Sequence, residues 1–364
     1  MRAKVNPWNV VIKGLVLYFL FQLFLVLSNF NPAAINIYQS EPLIRERFPF
    51  ITSPKAEDKA LDVGILDTVF ASHIISLPKK QDEYRVIILG DSSIWGDPLP
   101  VNYTIASQIN ALGLTCNSKK IIAYNLGYPL PSAIKDMMVL EKSMEYQPDL
   151  VIWGVTMYTL TTRMVEEHPL LGTESSLLAS LNSRYHFINQ TQPPNSPYEN
   201  WVDINFRLSR TLRYQSYSLI QLATGTDQIQ QEINSTNTDL TDNLDYVDMS
   251  PPNLPQKEIN INLVNIFHQI AGDVPVIIVN EPILITENVP NSDLRYNSYY
   301  PRWAYDQYRE YMKEAADQYN WAYFDFWNDF PSSLFANSPL HLNREGEKIF
   351  ANLLTPAIQE NCMK

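Results

Sequence analysis

The chain has 364 residues, of which 45% are hydrophobic, and a formal net charge of -12 at pH 7. This length and apolar fraction suffice for one large domain or two small ones, which excludes a disordered chain. An acidic chain lacks a general basic surface for phosphates, so nucleic acid is not expected as a partner.

The first predicted element is an apolar run at residues 10–30, about the length that spans a hydrocarbon core. Arg2, Lys4 and Lys13 lie towards its amino end, so the positive-inside tendency predicts a cytoplasmic N-terminus over 1–9 and an extracytoplasmic remainder. A cleaved signal peptide is the alternative. The run is long for a signal and no clean cleavage site follows it, which favours a single-pass anchor in the cell membrane.

Residues 31–83 form a predicted juxtamembrane segment, and its apolar patch at 65–77 is expected to pack as a helix against the main domain. That domain is predicted to span residues 84–364. Within it, residues 161–254 are rich in Asn, Thr, Ser, Gln and Pro and interrupt the order of the other elements. We interpret them as an insertion over the carboxyl edge of a sheet, where a long loop would wall a site and set substrate size.

Strand-like and helix-like runs alternate through the rest of the main domain. The predicted strands are 85–89, 121–125, 150–153, 274–280 and 321–326, and the predicted helices are 105–112, 133–146, 257–271, 303–319 and 345–359. Such alternation indicates an open, mostly parallel five-stranded sheet with helices on both faces. The predicted fold class is therefore a three-layer α/β/α domain behind an N-terminal transmembrane helix.

The cysteines and histidines do not suggest a metal centre. The chain has two cysteines and five histidines. The cysteine spacing fits no metal motif, and no two histidines stand at ligand spacing with a third donor. We therefore expect no metal centre.

Reactive residue types follow several of the predicted strands. Ligands of open parallel sheets bind outside the carboxyl ends of the strands. The first strand ends there in Gly-Asp-Ser-Ser, which includes Ser92; a simple helix N-cap is the alternative reading of these residues. Gly127 follows the second strand, Thr156 the third and His341 the fifth. A serine, backbone donors and a histidine at one edge form the nucleophile, oxyanion hole and base that acyl transfer needs.

These blocks and their chain order resemble the SGNH, or GDSL-type, hydrolase superfamily over roughly residues 84 to 358, with the insertion outside the resemblance. The Gly-Asp-Ser block and the block that ends in His341 carry most of it. The resemblance implies that Ser92 is the nucleophile and His341 the base, in chemistry that uses neither a metal nor an organic cofactor. It also implies an oxyanion hole made by the Ser92 and Gly127 backbone N–H groups and by Thr156.

The chain departs from the family pattern in two places. Thr156 and Met157 stand where the family has Asn and Asp, and a threonine hydroxyl is shorter than an asparagine side chain. Ser338 stands where the family acid belongs, three residues before the histidine, and Asn337 precedes it; neither is a carboxylate. Losing the acid that orients the imidazole would cost several orders of magnitude in rate, unless another carboxylate replaces it.

Three carboxylates are candidates for that replacement. Glu281 is the first choice, because it follows the fourth strand and so lies at the same edge as Ser92. Asp325 and Asp329 surround the end of the fifth strand and are nearer to His341 in sequence. For each of them a surface charge or a helix cap is the alternative interpretation.

Substrate-binding residues are expected near the same edge. Arg295 is a candidate for binding an anionic group or for pairing with Glu281, and Trp95 for stacking on a sugar; a core position is the alternative for the tryptophan. By resemblance to anchored relatives, the substrate is expected to be an acyl ester of a cell-envelope polysaccharide or lipid, with a membrane acyl-transfer partner. The competing hypothesis is a non-catalytic binding or assembly protein of the envelope.

The strand order usual for this family also bears on the two cysteines. In that order the first and last helices of the domain pack side by side, so Cys116 and Cys362 would both emerge at the amino edge of the sheet. An extracytoplasmic location would permit a disulfide between them. Two unpaired cysteines are the alternative.

Overall fold

The computed structural model describes residues 6–28, 30–31, 44–49, 61–166, 176–188, 197–224 and 238–362. Its centre is a sheet of six strands: β1 (Glu83–Leu89), β2 (Thr115–Cys116), β3 (Lys119–Asn125), β4 (Leu150–Val155), β5 (Val276–Asn280) and β6 (Ala322–Asp325). The helices are α1 (Pro7–Leu27), α2 (Leu66–Ala71), α3 (Ser92–Trp95), α4 (Ile105–Ala111), α5 (Ala133–Ser143), α6 (Met157–Leu160), α7 (Thr162–Glu166), α8 (Ser176–Tyr185), α9 (Pro197–Thr224), α10 (Asn262–Ala271), α11 (Arg302–Tyr319) and α12 (Arg344–Asn361).

The strand order across the sheet is β2-β3-β1-β4-β5-β6, and all neighbouring pairs are parallel except β2 with β3. The five parallel strands are those predicted, in the order of a flavodoxin-like doubly wound sheet. This confirms the predicted fold class. The additional strand is a two-residue hairpin arm, whose turn uses left-handed backbone at Asn117 and Ser118, as a tight hairpin turn requires.

Helices cover both faces of the sheet because its strands are apolar on both sides. On one face, Val86 and Ile88 of β1 pack in a cluster with α4 and α12. On the other face, Ile87 and Leu89 pack in a larger cluster with α2, α5, α10 and α11. Alternate residues of one strand thus enter opposite cores, which produces the three layers.

Helix α1 is long and apolar enough to cross a membrane, as judged by its length and composition. It begins at Pro7, earlier than the predicted 10–30, because Asn6 caps it by accepting a hydrogen bond from Trp8 N (3.0 Å) and proline suits a first helical position. It ends at Leu27, before the predicted end.

The insertion contains more helix than its composition indicates. The sequence predicts one helical patch there, near residues 214–224, whereas α9 alone covers 28 residues. Helix α9 is held to the juxtamembrane segment by a hydrogen bond between the hydroxyls of Thr211 and Thr68 (3.1 Å) and another between those of Tyr214 and Ser72 (3.0 Å). Within the apolar patch, the observed helix is the short α2.

At the amino edge of the sheet, Cys116 and Cys362 form a disulfide with a Cα–Cα distance of 5.3 Å. Cys116 ends β2, and Cys362 follows the last residue of α12. The two residues meet because α4 and α12 pack side by side on one face of the sheet. The link therefore ties the end of the chain to the hairpin beside β3.

Candidate active site

The nucleophile turn joins β1 to α3. Gly90 has a φ of +156°, and a Cβ on it would collide with the side chain of Ile94, so the turn requires glycine. Asp91 caps α3 by accepting a hydrogen bond from Ser93 N (2.8 Å). These contacts place Ser92 as the first residue of the helix, half-buried at the carboxyl end of the strand.

Ser92 and His341 are hydrogen-bonded across the sheet edge, with 2.8 Å between Oγ and Nε2. His341 lies in the loop before α12. That loop is closed by a hydrogen bond from Ala336 N to the His341 carbonyl (2.8 Å), and Asn343 caps the helix that follows. The pair that the resemblance implies as nucleophile and base is thus in contact, although the two residues are separated by 249 positions.

Asn337 contacts the second ring nitrogen of His341. Its Oδ1 lies 2.7 Å from Nδ1 of His341. An amide oxygen in that position accepts a hydrogen bond only from a protonated Nδ1, which leaves Nε2 free to accept the proton of Ser92. Asn337 therefore sets the tautomer of the imidazole, as the acid of a triad does, but it carries no negative charge to stabilise the imidazolium.

A carboxylate that was not predicted from the sequence lies near His341. Asp97 Oδ2 is 3.9 Å from His341 Nδ1, which is ion-pair range and too far for a hydrogen bond. Asp97 is positioned by its backbone, whose N–H donates to the carbonyl of Ser92 (3.0 Å). The sequence contains a signal for this contact, because Asp97 follows the nucleophile by only five residues.

Burial lowers the pKa of His341 below its ordinary value, and the nearby charges of Asp97 and Asp91 oppose that shift. The net direction favours the neutral imidazole. A neutral imidazole is the form that accepts a proton, so the environment prepares His341 to act as a base.

None of the three predicted acids reaches His341. Glu281 is fully buried and accepts a hydrogen bond from Ser93 Oγ, so it lies behind the nucleophile turn and not in the cleft. Asp325 is paired with Arg309 (2.7 Å), and Asp329 is exposed. These predictions are wrong because a position at the carboxyl edge does not determine which way a side chain points.

Glu281 has a counterpart on α12. Glu281 Oε1 and Glu347 Oε2 are both buried and have no hydrogen-bond partner among the residues that the structure describes. Both residues line a small cavity with Ser93 and Ile94. Burial raises the pKa of each carboxyl well above its ordinary value; for Glu281, the Asp91 charge adds to the effect. This direction favours the uncharged form of both acids at the back of the nucleophile turn.

The predicted oxyanion hole is only partly assembled. The Ser92 N–H has no acceptor within its helix, because it is the first of the helix. The Gly127 N–H, however, donates to Asn125 Oδ1 (3.1 Å), and a Cβ on Gly127 would lie 2.7 Å from Trp95 N. Gly127 is therefore a close-packing glycine whose donor is occupied.

Thr156 does not face the cleft either. It is fully buried and forms a reciprocal capping box with Thr159 at the start of α6. Its hydroxyl and backbone therefore serve the local helix. The prediction of Thr156 as an oxyanion donor is wrong for this arrangement.

Lys135 was not predicted to belong to the site. It is buried in the first turn of α5, and its Nζ donates to the carbonyls of Gly90 (2.8 Å), Tyr128 (2.5 Å) and Leu130 (3.1 Å). One ammonium thus joins the loop after β1 to the loop after β3. A lysine within an apolar helix was the sequence signal for such a structural charge.

Neither predicted substrate-binding residue lines the cleft. Arg295 is buried, and its guanidinium donates to three backbone carbonyls, including those of Asn243 (2.7 Å) and Ser298 (3.1 Å). It orders its own loop and does not pair with Glu281. Trp95 is also buried, under Arg47 and with its indole N–H on Phe48 O (2.7 Å). Both predictions are wrong, and both residues are structural.

Ser92 and His341 open into a cleft of about 930 Å³. Besides these two, the cleft is lined by Asp91, Pro131, Tyr158, Arg163, Asp245, Tyr246, Val247, Ser298, Tyr299, Tyr300, Asn337, Ser338 and Leu340. Arg163 and the stretch 245–247 belong to the predicted insertion, so its described ends wall the cleft. Aromatic rings line one part of the cleft, and polar groups surround the nucleophile.

No model of a protein family matches the chain, and no curated protein matches it. Solved structures do match, at low similarity. One match is a carbohydrate acetylesterase family member from Sinorhizobium meliloti, with 12% identity, a TM-score of 0.34, and coverage of 77% of this chain and 100% of that one.

A second match is a lipase/acylhydrolase from Enterococcus faecalis, with 14% identity, a TM-score of 0.37, and coverage of 76% of this chain and 96% of that one. A third is an aryl esterase from M. smegmatis, with 10% identity, a TM-score of 0.33, and coverage of 76% and 98%. Similarities of this size carry no argument about activity. The activity is argued from the contacts of Ser92.

Proposed function

We propose that this protein is a serine-dependent acyl-transfer enzyme, an esterase or an O-acyltransferase, that works through an acyl-enzyme on Ser92. The observation that carries the proposal is the chain of contacts from Ser92 Oγ to His341 Nε2 (2.8 Å) and from His341 Nδ1 to Asn337 Oδ1 (2.7 Å). A nucleophile that contacts a base, which in turn contacts an orienting group, is the arrangement that covalent catalysis requires.

The reaction would proceed in two halves. Ser92 Oγ attacks the ester carbonyl while its proton passes to His341 Nε2, and the resulting imidazolium then protonates the departing alkoxide. In the second half, His341 takes a proton from water or from an acceptor hydroxyl as that oxygen attacks the acyl group. The imidazolium then returns the proton to Ser92 Oγ as the bond between Oγ and the acyl carbon breaks, which restores the free serine. Asn337 keeps the imidazole in the required tautomer in both halves.

The missing charge at Asn337 sets a limit on the rate. A triad carboxylate stabilises the imidazolium, and an amide does so only through its dipole. Asp97, at 3.9 Å from Nδ1, supplies part of that charge and is 35% exposed, so solvent screens it. We therefore infer a functional but modest general base.

The proposed substrate is an acyl ester of a cell-envelope polysaccharide or lipid, outside the cytoplasmic membrane. Two features support it. Helix α1 has the length and composition of an anchor. The cleft is open and exposes Tyr158 and Tyr299 to its interior, and tyrosine rings suit stacking on sugars.

A second candidate function is a non-catalytic binding or assembly protein of the envelope. The same site provides the observations that favour it. Asn337 stands in the place of a carboxylate, and the Gly127 N–H is occupied by Asn125. A fold that keeps the cleft with an incomplete oxyanion hole could still hold an ester without cleaving it.

Hydrolysis of p-nitrophenyl acetate by the detergent-solubilised chain distinguishes the two functions. The wild type is expected to release p-nitrophenol, and Ser92→Ala to show only the background rate. Ser216→Ala is the matched control, because this serine is exposed on α9 and lies outside the cleft. Equal rates in all three proteins would favour the binding function. Partition of the acyl group between water and an added sugar hydroxyl would separate hydrolase from transferase.

A further inference from the structure

Helix α1 has a polar contact inside its apolar length. Gln22 is 8% exposed, whereas most side chains of the helix are open. Its Oε1 accepts hydrogen bonds from Trp201 Nε1 (2.9 Å) and Asn205 Nδ2 (2.9 Å), and its Nε2 donates to Asn205 Oδ1 (3.1 Å). The amide of Gln22 is therefore satisfied entirely by the beginning of α9.

The depth of Gln22 along α1 locates these partners relative to a membrane. Gln22 precedes the last residue of the helix, Leu27, by five positions, which is about 7.5 Å along the helix axis. A helix of 21 residues is about 31 Å long, close to the thickness of a hydrocarbon core. If α1 spans the bilayer, Gln22 thus lies below the membrane surface, and so do the side chains that bind it.

The side chains around this contact suit such a depth. Trp201 has an aromatic ring with one polar group, the type enriched at membrane interfaces. Phe206, beside Asn205, is 59% exposed in the protein alone. The charged residues of the same turns neutralise each other, since Asp203 pairs with Arg207 (2.8 Å). A polar group in a membrane helix is costly without a partner, which explains why Gln22 is matched with two.

We propose that the first described turns of α9, from Trp201 to Phe206, enter the outer part of the bilayer beside α1, with the acyl chains of phospholipids as their partner. The inference rests on the anchoring of α1 that is part of the proposed function. It goes further, because the insertion then contacts lipid directly.

This contact would fix the catalytic domain close to the membrane. Helix α9 is bonded to α1 at Gln22 and to the juxtamembrane segment at Thr68 and Ser72. The domain is therefore held by two attachments and not by a single flexible tether. Helix α9 would then set the distance between the cleft and the lipid, and a substrate would have to reach the cleft at that distance.

Depth-dependent fluorescence quenching tests this proposal on the full chain in vesicles of phosphatidylcholine that carries a nitroxide on its acyl chain. Single cysteines for a nitrobenzoxadiazole label are introduced by Phe206→Cys, by Leu20→Cys within α1 and by Leu353→Cys on α12. All three side chains are exposed, so the substitutions remove no core packing, and the two native cysteines are paired. We expect the label at 206 to lose fluorescence as the label at 20 does, and the label at 353 to keep it.

The results distinguish a failure of the proposed lipid contact of α9 from a failure of α1 as an anchor. Quenching at 20 but not at 206, with iodide in solution reaching 206 as easily as 353, would overturn the proposal and assign this turn to water or to a protein partner. No quenching at 20 would overturn the anchor and this proposal together. Neither result depends on the reactivity of Ser92, so the proposed chemistry is tested separately.

Discussion

The two halves of the catalytic edge differ in what their side chains face. In the half formed by β1 and the loop before α12, Ser92 and His341 are in contact and open to the cleft. In the half formed by the ends of β3 and β4, the Gly127 N–H is occupied and Thr156 is buried in a capping box. The first half holds a nucleophile and a base, whereas the second packs the core behind them.

This difference shows which parts of a site depend on topology alone. Strand order brings Ser92 and His341 to the same edge, and the open cleft leaves their side chains free to meet. An oxyanion donor also requires a peptide N–H to point in one direction. Asn125 decides that direction for Gly127, because its side chain accepts the N–H two residues later in a local turn.

Loss of the base should have the largest effect. His341→Ala removes the proton acceptor of Ser92, so kcat/KM for p-nitrophenyl acetate should fall by about 10³-fold, the middle of the range for general acid–base catalysis. His268→Asn is the control, since His268 lies on α10 outside the cleft and stacks on Trp321. Equal activity of the two variants would contradict the role of His341.

Substitutions of Asn337 separate two effects on His341, namely the orientation of its imidazole and the stabilisation of its positive charge. Asn337→Ala should lower kcat/KM by about 10-fold or more, because the imidazole loses the group that sets its tautomer. Asn337→Asp should raise kcat/KM above the wild type, because a carboxylate stabilises the imidazolium. A decrease in both variants would show that the amide itself is needed.

The same substitution should move the pH profile. His341 must be neutral to act as a base, and its pKa is lowered by burial. The acid limb of kcat/KM should therefore lie below about 6.5, the value of an unperturbed histidine. A negative charge raises the pKa, so Asn337→Asp should shift that limb to higher pH. A limb that does not move would contradict the assignment of His341.

The buried carboxyl of Glu347, behind the nucleophile turn, should change how the free energy of unfolding depends on pH. Burial raises the pKa of Glu347, so from about pH 4.3 upwards the unfolded state releases a proton that the native state keeps. The free energy of unfolding then falls by about 1.4 kcal/mol per pH unit for each such group, until the raised pKa is reached. Glu347→Gln should make the slope shallower by that amount in urea unfolding at a series of pH values.

The matched control for this slope is Glu360→Gln, because Glu360 lies on the exposed side of the same helix. Its slope should equal that of the wild type. A wild-type slope in Glu347→Gln would mean that Glu347 is ionised in the folded protein, and it would contradict the description of an uncharged acid.

The smallest effect on activity is expected in the half of the catalytic edge that the ends of β3 and β4 form. Thr156→Val keeps the shape of the side chain and removes its hydroxyl. Loss of a cap of this kind costs about 1 kcal/mol of stability, whereas kcat/KM should change by less than about twofold. A fall of about 10²-fold in kcat would instead identify Thr156 as an oxyanion donor and would remove the distinction between the two halves.

Sequence alone predicted the sheet and the contact of Ser92 with His341, because apolar periodicity and chain order determine which strand ends meet. It failed for Glu281, which follows β5 as predicted but points behind Ser93. It named Asn337 only as a residue that is not a carboxylate, and it did not predict that this amide contacts His341. Side-chain direction depends on packing between distant elements, and no local pattern encodes it.

The most direct test of the central claim is reaction with a fluorophosphonate, followed by peptide mapping of the phosphonylated residue. The reagent forms a covalent bond with a serine whose proton is removed by a neighbouring base. We predict a single adduct on the peptide that contains Ser92, present in the wild type and strongly reduced in His341→Ala. No adduct on Ser92, or an adduct formed equally in both proteins, would contradict the claim that His341 activates Ser92 for acyl transfer.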